Sequence, residues 1–116
     1  VNEELSLVCK AIEIIEDKKG ENIVILDLSE VSIPTSYFVI AEADTSVHMK
    51  AIASDFMKSF PVPSRHREGW KERRWVVLDY GDIVVHLFQK DAREFYDIES
   101  LWADYIVSID SLQTTA

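Results

Sequence analysis

The sequence predicts an α/β (α+β) domain: a single mixed sheet with flanking helices. Three observations carry this. Dense β-branched and aromatic runs at Ile23-Val24-Ile25-Leu26, Tyr37-Phe38-Val39-Ile40-Ala41 and Ile83-Val84-Val85-His86-Leu87-Phe88 have the length and composition of strands. Apolar residues recur at helical spacing near residues 3–19, 46–60 and 91–105. The chain has 116 residues, 47% apolar and 28% charged, which suits one globular domain with one real core. The expected order is helix-strand-strand-helix-strand-strand-strand-helix in one domain over 1–116, with a core over about 3–107.

In the first helix, Leu5, Val8, Ile12 and Ile15 form the apolar stripe with Cys9 beside them. Glu3, Glu4, Glu13 and Glu16 belong to the solvent side. Lys18 and Lys19 sit where the helix dipole favours cations, and Gly20 is a candidate cap. The next two strands are apolar on both faces, which places them centrally. Ser29 to Thr35, with Pro34, reads as their connection. Asp44, Thr45 and Ser46 offer N-caps for a helix carrying Met49, Ile52, Ala53, Phe56 and Phe60, stopped by Pro61 and Pro63.

Ser64 to Trp70 reads as a short edge strand whose basic residues discourage unwanted pairing. Trp75-Val76-Val77-Leu78 and the run from Ile83 to Phe88 are the strongest strands. A two-residue loop at Tyr80-Gly81 would close them into a hairpin, with Asp79 opposite Asp82 and Trp75 opposite His86. Residues 91–105 form a last helical stretch, broken or continuous, with an apolar stripe of Phe95, Ile98, Leu101, Trp102 and Tyr105. The polar tail, 108–116, is expected to fray.

Twelve Lys and Arg stand against 21 Asp and Glu, a net charge of −9. Such a field opposes nonspecific attraction to nucleic-acid phosphate and favours basic partners. Little direct nucleic-acid contact is expected, although a local basic cluster exists at Arg65, His66, Arg67, Lys71, Arg73 and Arg74. Cys9 is the one cysteine, so no intrachain disulfide forms, and a buried free thiol fits a reducing compartment. No apolar run reaches membrane-spanning length, and Val1-Asn2-Glu3-Glu4 does not resemble a targeting peptide. The expected location is cytoplasmic.

Catalytic chemistry finds little support. His48, His66 and His86 lack metal-ligand spacing, so no metal and no cofactor are expected. Asp79 and Asp82 are the best carboxylate pair and carry the alternative reading, a magnesium-dependent nucleotide-binding or nucleotidyl-transferring enzyme. His86 lies ~13 Å beyond Asp82 at strand rise, too far to share one ion. Gly20, Gly69 and Gly81 form no phosphate-gripping loop. Trp75 and Tyr80 stand out instead, as large rigid rings near polar turns suited to anchoring an interface. Packing under the terminal helix is the competing role for Trp75.

The stretch Trp75-Val76-Val77-Leu78-Asp79-Tyr80-Gly81-Asp82-Ile83-Val84-Val85-His86-Leu87-Phe88 resembles the signature of the Iojap family, the ribosomal silencing factors. Arg93-Glu94-Phe95-Tyr96-Asp97-Ile98-Glu99-Ser100-Leu101-Trp102 resembles its C-terminal motif. The segment from Ser36 to Ala41 and the helix from Ser46 match more loosely. Ser36 replaces a common acidic residue, Ala43 a frequent glycine, and Val47 a usual arginine. The resemblance implies a nucleotidyltransferase-like fold without catalytic equipment. It also implies binding to large-subunit ribosomal protein fourteen, a block on small-subunit joining, and a part in large-subunit maturation. The partner surface it implies comprises Trp75, Asp79, Tyr80 and Asp82, with Arg93, Tyr96, Glu99 and Trp102 either assisting or locking the last helix to the sheet. A homodimer stays open.

Overall fold

The computed structural model describes residues 3–115, with side chains through Leu112. The elements run α1 (Glu3–Asp17), β1 (Glu21–Asp27), β2 (Tyr37–Ala43), α2 (Ser46–Ser59), β3 (His66–Glu68), β4 (Trp75–Asp79), β5 (Ile83–Gln89), α3 (Lys90–Tyr96) and α4 (Ile98–Leu101). A 3-10 turn (Ala103–Tyr105), β6 (Ile106–Val107) and α5 (Ile109–Thr115) follow. The strands form one six-stranded sheet in the order β3-β4-β5-β2-β1-β6. The central β2–β5 pair is parallel and the other pairs are antiparallel. The mixed sheet with flanking helices is therefore as the sequence predicts.

Side-chain alternation divides the core in two. Ile25, Val39, Ala41, Val76, Leu78, Ile83, Val85 and Leu87 meet α1 and α2 in the larger cluster. Leu26, Ile40 and Phe88 meet Ala92 of α3 in a smaller cluster on the opposite face, with Trp75, Ile98 and Trp102 packed against it. The central strands are apolar on both sides because both sides are covered, at least in part.

Local chemistry explains the boundaries. Thr45 caps α2 by accepting the His48 amide at 3.0 Å. His48 then joins the two long helices: its Nδ1 accepts the Asp44 amide, so its Nε2–H donates to the Lys18 carbonyl at 2.6 Å. At the end of α1, Lys19 takes the left-handed conformation (φ 65°), and the Gly20 amide reaches back to the Ile15 carbonyl at 2.8 Å. Gly20 is required for space rather than for backbone freedom, since a Cβ there would lie 2.3 Å from Ile15 Cγ2.

Four expectations need correction. The hairpin turns at Gly81-Asp82, one residue later than expected, with the Tyr80 amide bonded to the Ile83 carbonyl at 2.9 Å. Trp75 pairs with Phe88, Val77 with His86 and Asp79 with Val84. The cause is backbone geometry: tight hairpin turns want positive φ at their first central residue, and Gly81 supplies it (φ 90°) where Tyr80 would be strained. Second, the last helical stretch takes the broken form, at Asp97 (φ 42°), and its apolar stripe does not all pack inwards. Phe95 and Leu101 are each 79% exposed, and Tyr105 is exposed as well. Third, the segment expected to fray forms α5, and Leu112 is buried against the larger cluster. Fourth, Cys9 is half-buried rather than buried, and that burial still pushes its thiol pKa up.

Gly20→Ala should lower stability by about 1–3 kcal/mol through overpacking against Ile15. Urea unfolding followed by circular dichroism measures this. A variant as stable as the parent would mean that Ile15 yields freely.

Candidate partner-binding surface

The residues singled out in the sequence fall into two groups. Trp75, Arg93, Tyr96, Glu99 and Trp102 gather on the α3–α4 side of the sheet. Asp79, Tyr80 and Asp82 lie at the hairpin end of β4.

Trp75 is half-buried, and an aromatic chain runs through it. Its ring stacks on Phe88 (centroids 4.9 Å apart) and tilts against Tyr96 (4.6 Å), whose own ring meets Phe95 edge-on at 5.1 Å. Tyr96 is 49% exposed. The helices α3 and α4 thus cover the sheet over Leu26, Ile40 and Phe88. Phe38, Val77 and Val84 remain only half-buried beyond them on the same face. Phe38 and Trp75 bracket His86, at centroid distances of 4.5 and 5.9 Å.

Arg93 positions this side. Its guanidinium holds Glu99 with two bonds (Nε to Oε1, 2.7 Å; Nη2 to Oε2, 3.1 Å). Its Nη1 donates to Glu42 Oε1 at 3.0 Å and to the Asn22 carbonyl at 2.6 Å. The side chain is 10% exposed. This is the locking role: one cation ties α3 to α4, to β2 and to the irregular start of β1. Trp102 is likewise half-buried against the smaller cluster.

The other group departs from its expected geometry. Tyr80, expected at an exposed hairpin tip, is 8% exposed and packs on Phe60 (4.4 Å) and Phe56 (6.4 Å), facing α2. Burial raises its hydroxyl pKa to about 12. Asp79 Oδ1 accepts the Gly81 amide at 2.8 Å, so its carboxylate is spent on the turn. Asp82 is exposed and works through its backbone, its carbonyl accepting from Thr35 Oγ1 and from the Ser36 and Tyr37 amides. Asp79 faces Val84, not Asp82, so the carboxylate pair of the enzyme reading does not face across the hairpin. Among the described residues no group of three or more His, Cys, Asp or Glu is placed to hold a metal ion. No described helix is long and apolar enough to cross a membrane.

Sequence reasoning missed the exposure of Phe95, Leu101 and Ile106, and the part played by His86. The indole N–H of Trp75 donates to His86 Nδ1 at 3.1 Å. Because indole is a donor only, the neutral imidazole carries its proton on Nε2, a buried atom with no hydrogen-bond partner. The residue is 7% exposed, and burial pushes its pKa down to about 4. The departures from the family pattern also find places. Ser36 Oγ donates to Glu4 Oε2 at 2.8 Å, so a carboxylate from α1 stands beside the position where the resemblance leads one to expect an acidic residue. Ala43 is buried, and Val47 is 77% exposed.

The depressed pKa of His86 has a definite sign. The unfolded chain protonates this group near pH 6.5, the folded one only near 4, so its contribution is complete above about pH 6.5 and shrinks as pH falls towards 4. The slope in that window is about 1.4 kcal/mol per pH unit for one such group. Urea unfolding at pH 7.5, 6 and 5 should show it, and His86→Phe should flatten the profile. Parallel profiles for parent and variant would refute the assignment.

The whole chain, residues 1–116, matches the family model described as "Ribosomal silencing factor during starvation". The ribosomal silencing factor RsfS of Halalkalibacterium halodurans is 35% identical over 97 residues, 81% of this chain and 83% of that protein. A crystal structure from Chromobacterium violaceum superposes with a TM-score of 0.79 at 35% identity, over 84% of each chain. One from Bacillus halodurans gives 0.76 at 32% identity, over 90% of this chain and 98% of that one. The aromatic hairpin strand and the Arg93-anchored helix thus sit within a sequence and a fold that both place this chain in the family of ribosomal silencing factors.

Proposed function

We propose that this chain is a non-catalytic, cytoplasmic repressor of translation that binds the large ribosomal subunit and sterically blocks joining of the small one. Its direct partner in this reading is large-subunit ribosomal protein fourteen, and a part in large-subunit maturation goes with the same binding. The nucleotidyltransferase-like architecture that the family resemblance implies enters as a scaffold without a phosphate grip.

One observation carries the reading: the half-covered sheet face where Trp75 leads through Tyr96 to Phe95. Exposed aromatic and apolar side chains beside a rigid sheet suit a protein interface, where large rings add contact area at modest entropic cost. Steric exclusion needs occupancy and no reaction. The net charge of −9 complements a basic ribosomal protein and speeds encounter with it. Trp75 and Tyr96 are the anchors in this reading. Arg93, Glu99 and Trp102 hold them in place, Asp79 and Asp82 form a polar rim, and Tyr80 supports the hairpin from the α2 side. Solution mass would settle the homodimer, which the mechanism neither needs nor forbids.

The test is co-sedimentation with purified large subunits, followed by small-subunit addition under light scattering. The parent chain should co-sediment and reduce joining. Tyr96→Ala, at a half-exposed ring, should weaken binding by about 2 kcal/mol, tens-fold in Kd, if it is a central anchor. Trp75→Ala should weaken it as well, with melting measured beside it because the ring also packs on Phe88. Tyr80→Phe should bind like the parent. Failure of the parent chain to co-sediment or to reduce joining would sink the silencing role. Full binding by a folded Tyr96→Ala variant would move the surface elsewhere.

A further inference from the structure

The edge of the sheet at β3 carries a charge pattern that the proposed protein interface does not use. Residues 65–74 hold Arg65, Arg67, Lys71, Arg73 and Arg74 against Glu68 and Glu72, a net charge of +3 with His66 neutral. The remainder of the chain therefore carries −12, given the total of −9. Within such a cluster the positive charges add to one another's field over a Debye length of about 8 Å, so this edge attracts anions despite the acidic remainder.

Most of this charge has no ionic partner among the described residues, although Arg67 Nη1 donates to Met57 Sδ. Arg74 pairs with Asp91 at 3.0 Å, but among the described residues Arg65, Arg67, Lys71 and Arg73 have no carboxylate within ion-pair distance, in a chain with 21 acids. Arg73 is half-buried and donates to Ser46 Oγ at 2.9 Å. Arg65, Arg67 and Lys71 are exposed. β3 ends the sheet, so its outer backbone edge is unpaired as well. The segment flanks β4, whose Trp75 opens the proposed protein interface, so a ligand along β3 would lie next to a partner seated on that face.

We propose that β3 and the loop behind it, through Arg65, Arg67 and Lys71, form a docking edge for RNA phosphate backbone. The aromatic chemistry of the segment fixes the mode. Trp70 packs into the larger core cluster instead of offering a face for base stacking. Contact is therefore electrostatic and indifferent to sequence, as phosphate contacts are. This inference rests on the ribosome-binding reading: a factor seated on a ribosomal protein has rRNA beside it, and a chain of net charge −9 needs a local positive edge to lie against that RNA. The edge orients the factor, admitting one rotational setting on its partner and opposing those that turn the acidic remainder towards phosphate.

The experiment uses the full chain and a triple variant, Arg65→Gln with Arg67→Gln and Lys71→Gln, which spares Arg73 and Arg74. Both are titrated against purified large subunits over a series of KCl concentrations, and against isolated ribosomal protein fourteen without RNA. The variant should melt like the parent and bind the isolated protein equally well. On large subunits it should bind at least about tenfold more weakly at low salt, with a salt slope shallower by about one for each lost phosphate contact. Photocrosslinking of the parent on subunits should attach nucleotides within residues 64–74. Equal affinity and equal slope on subunits, without crosslinks there, overturn the proposal. A matching loss against the isolated protein also overturns it, since the cations would then serve an acidic protein surface. If the parent binds subunits but not isolated ribosomal protein fourteen, the partner assignment fails, while the subunit slopes and crosslinks still decide the RNA edge.

Discussion

The guanidinium of Arg93 is the place where α3, α4, β1 and β2 meet. Two bonds to Glu99, one to Glu42 and one to the Asn22 carbonyl use most of its donors. Helices of seven and four residues are too short to persist alone. They stay helical and in position because a buried cation fixes both to the sheet. Removing the cation would leave two half-buried carboxylates side by side without their partner. The position of Tyr96 against Trp75 depends on that anchorage.

The cover provided by α3 and α4 is incomplete, and it leaves part of that sheet face open to solvent. One sheet face carries two long helices and is sealed. The other is closed over Phe88, Ile40 and Leu26 and half open at Phe38, Val77 and Val84. Trp75 sits on the boundary, packed on Phe88 inwardly and against Tyr96 outwardly. His86, held neutral beneath it, keeps charge away from the boundary. The fold therefore separates a half-covered aromatic face from a charged edge one strand away.

Much of this was legible in the sequence. The strands from Ile23, Tyr37 and Ile83 announced themselves by β-branched runs, and the helices from Glu3 and Ser46 by their stripes. The Arg93 motif was legible as a resemblance, but not its four bonds, because Asn22 and Glu42 lie far off in sequence. The exposure of Phe95 and Leu101 was hidden because periodicity reports which residues share a helix face, not whether anything covers that face. The kink at Asp97 was equally silent, since a left-handed aspartate leaves no pattern. Two-residue β6 fell below the length at which alternation carries information. The place of Tyr80 is hard to read because composition allows Gly81 either central place in the turn, and only its positive φ puts it first.

That one-residue displacement of the turn has a wider meaning. Moving each residue's partner by two places keeps Trp75, Val77, Val84, His86 and Phe88 together on one face, so the apolar pattern of β4 and β5 is satisfied equally by both hairpins. Hydrophobicity is degenerate here, and burial cannot choose between the two solutions. The choice falls to Gly81, a residue without a side chain, through the sign of a single torsion angle. A position that contributes nothing to the core thus carries the information that decides which atoms the core brings together.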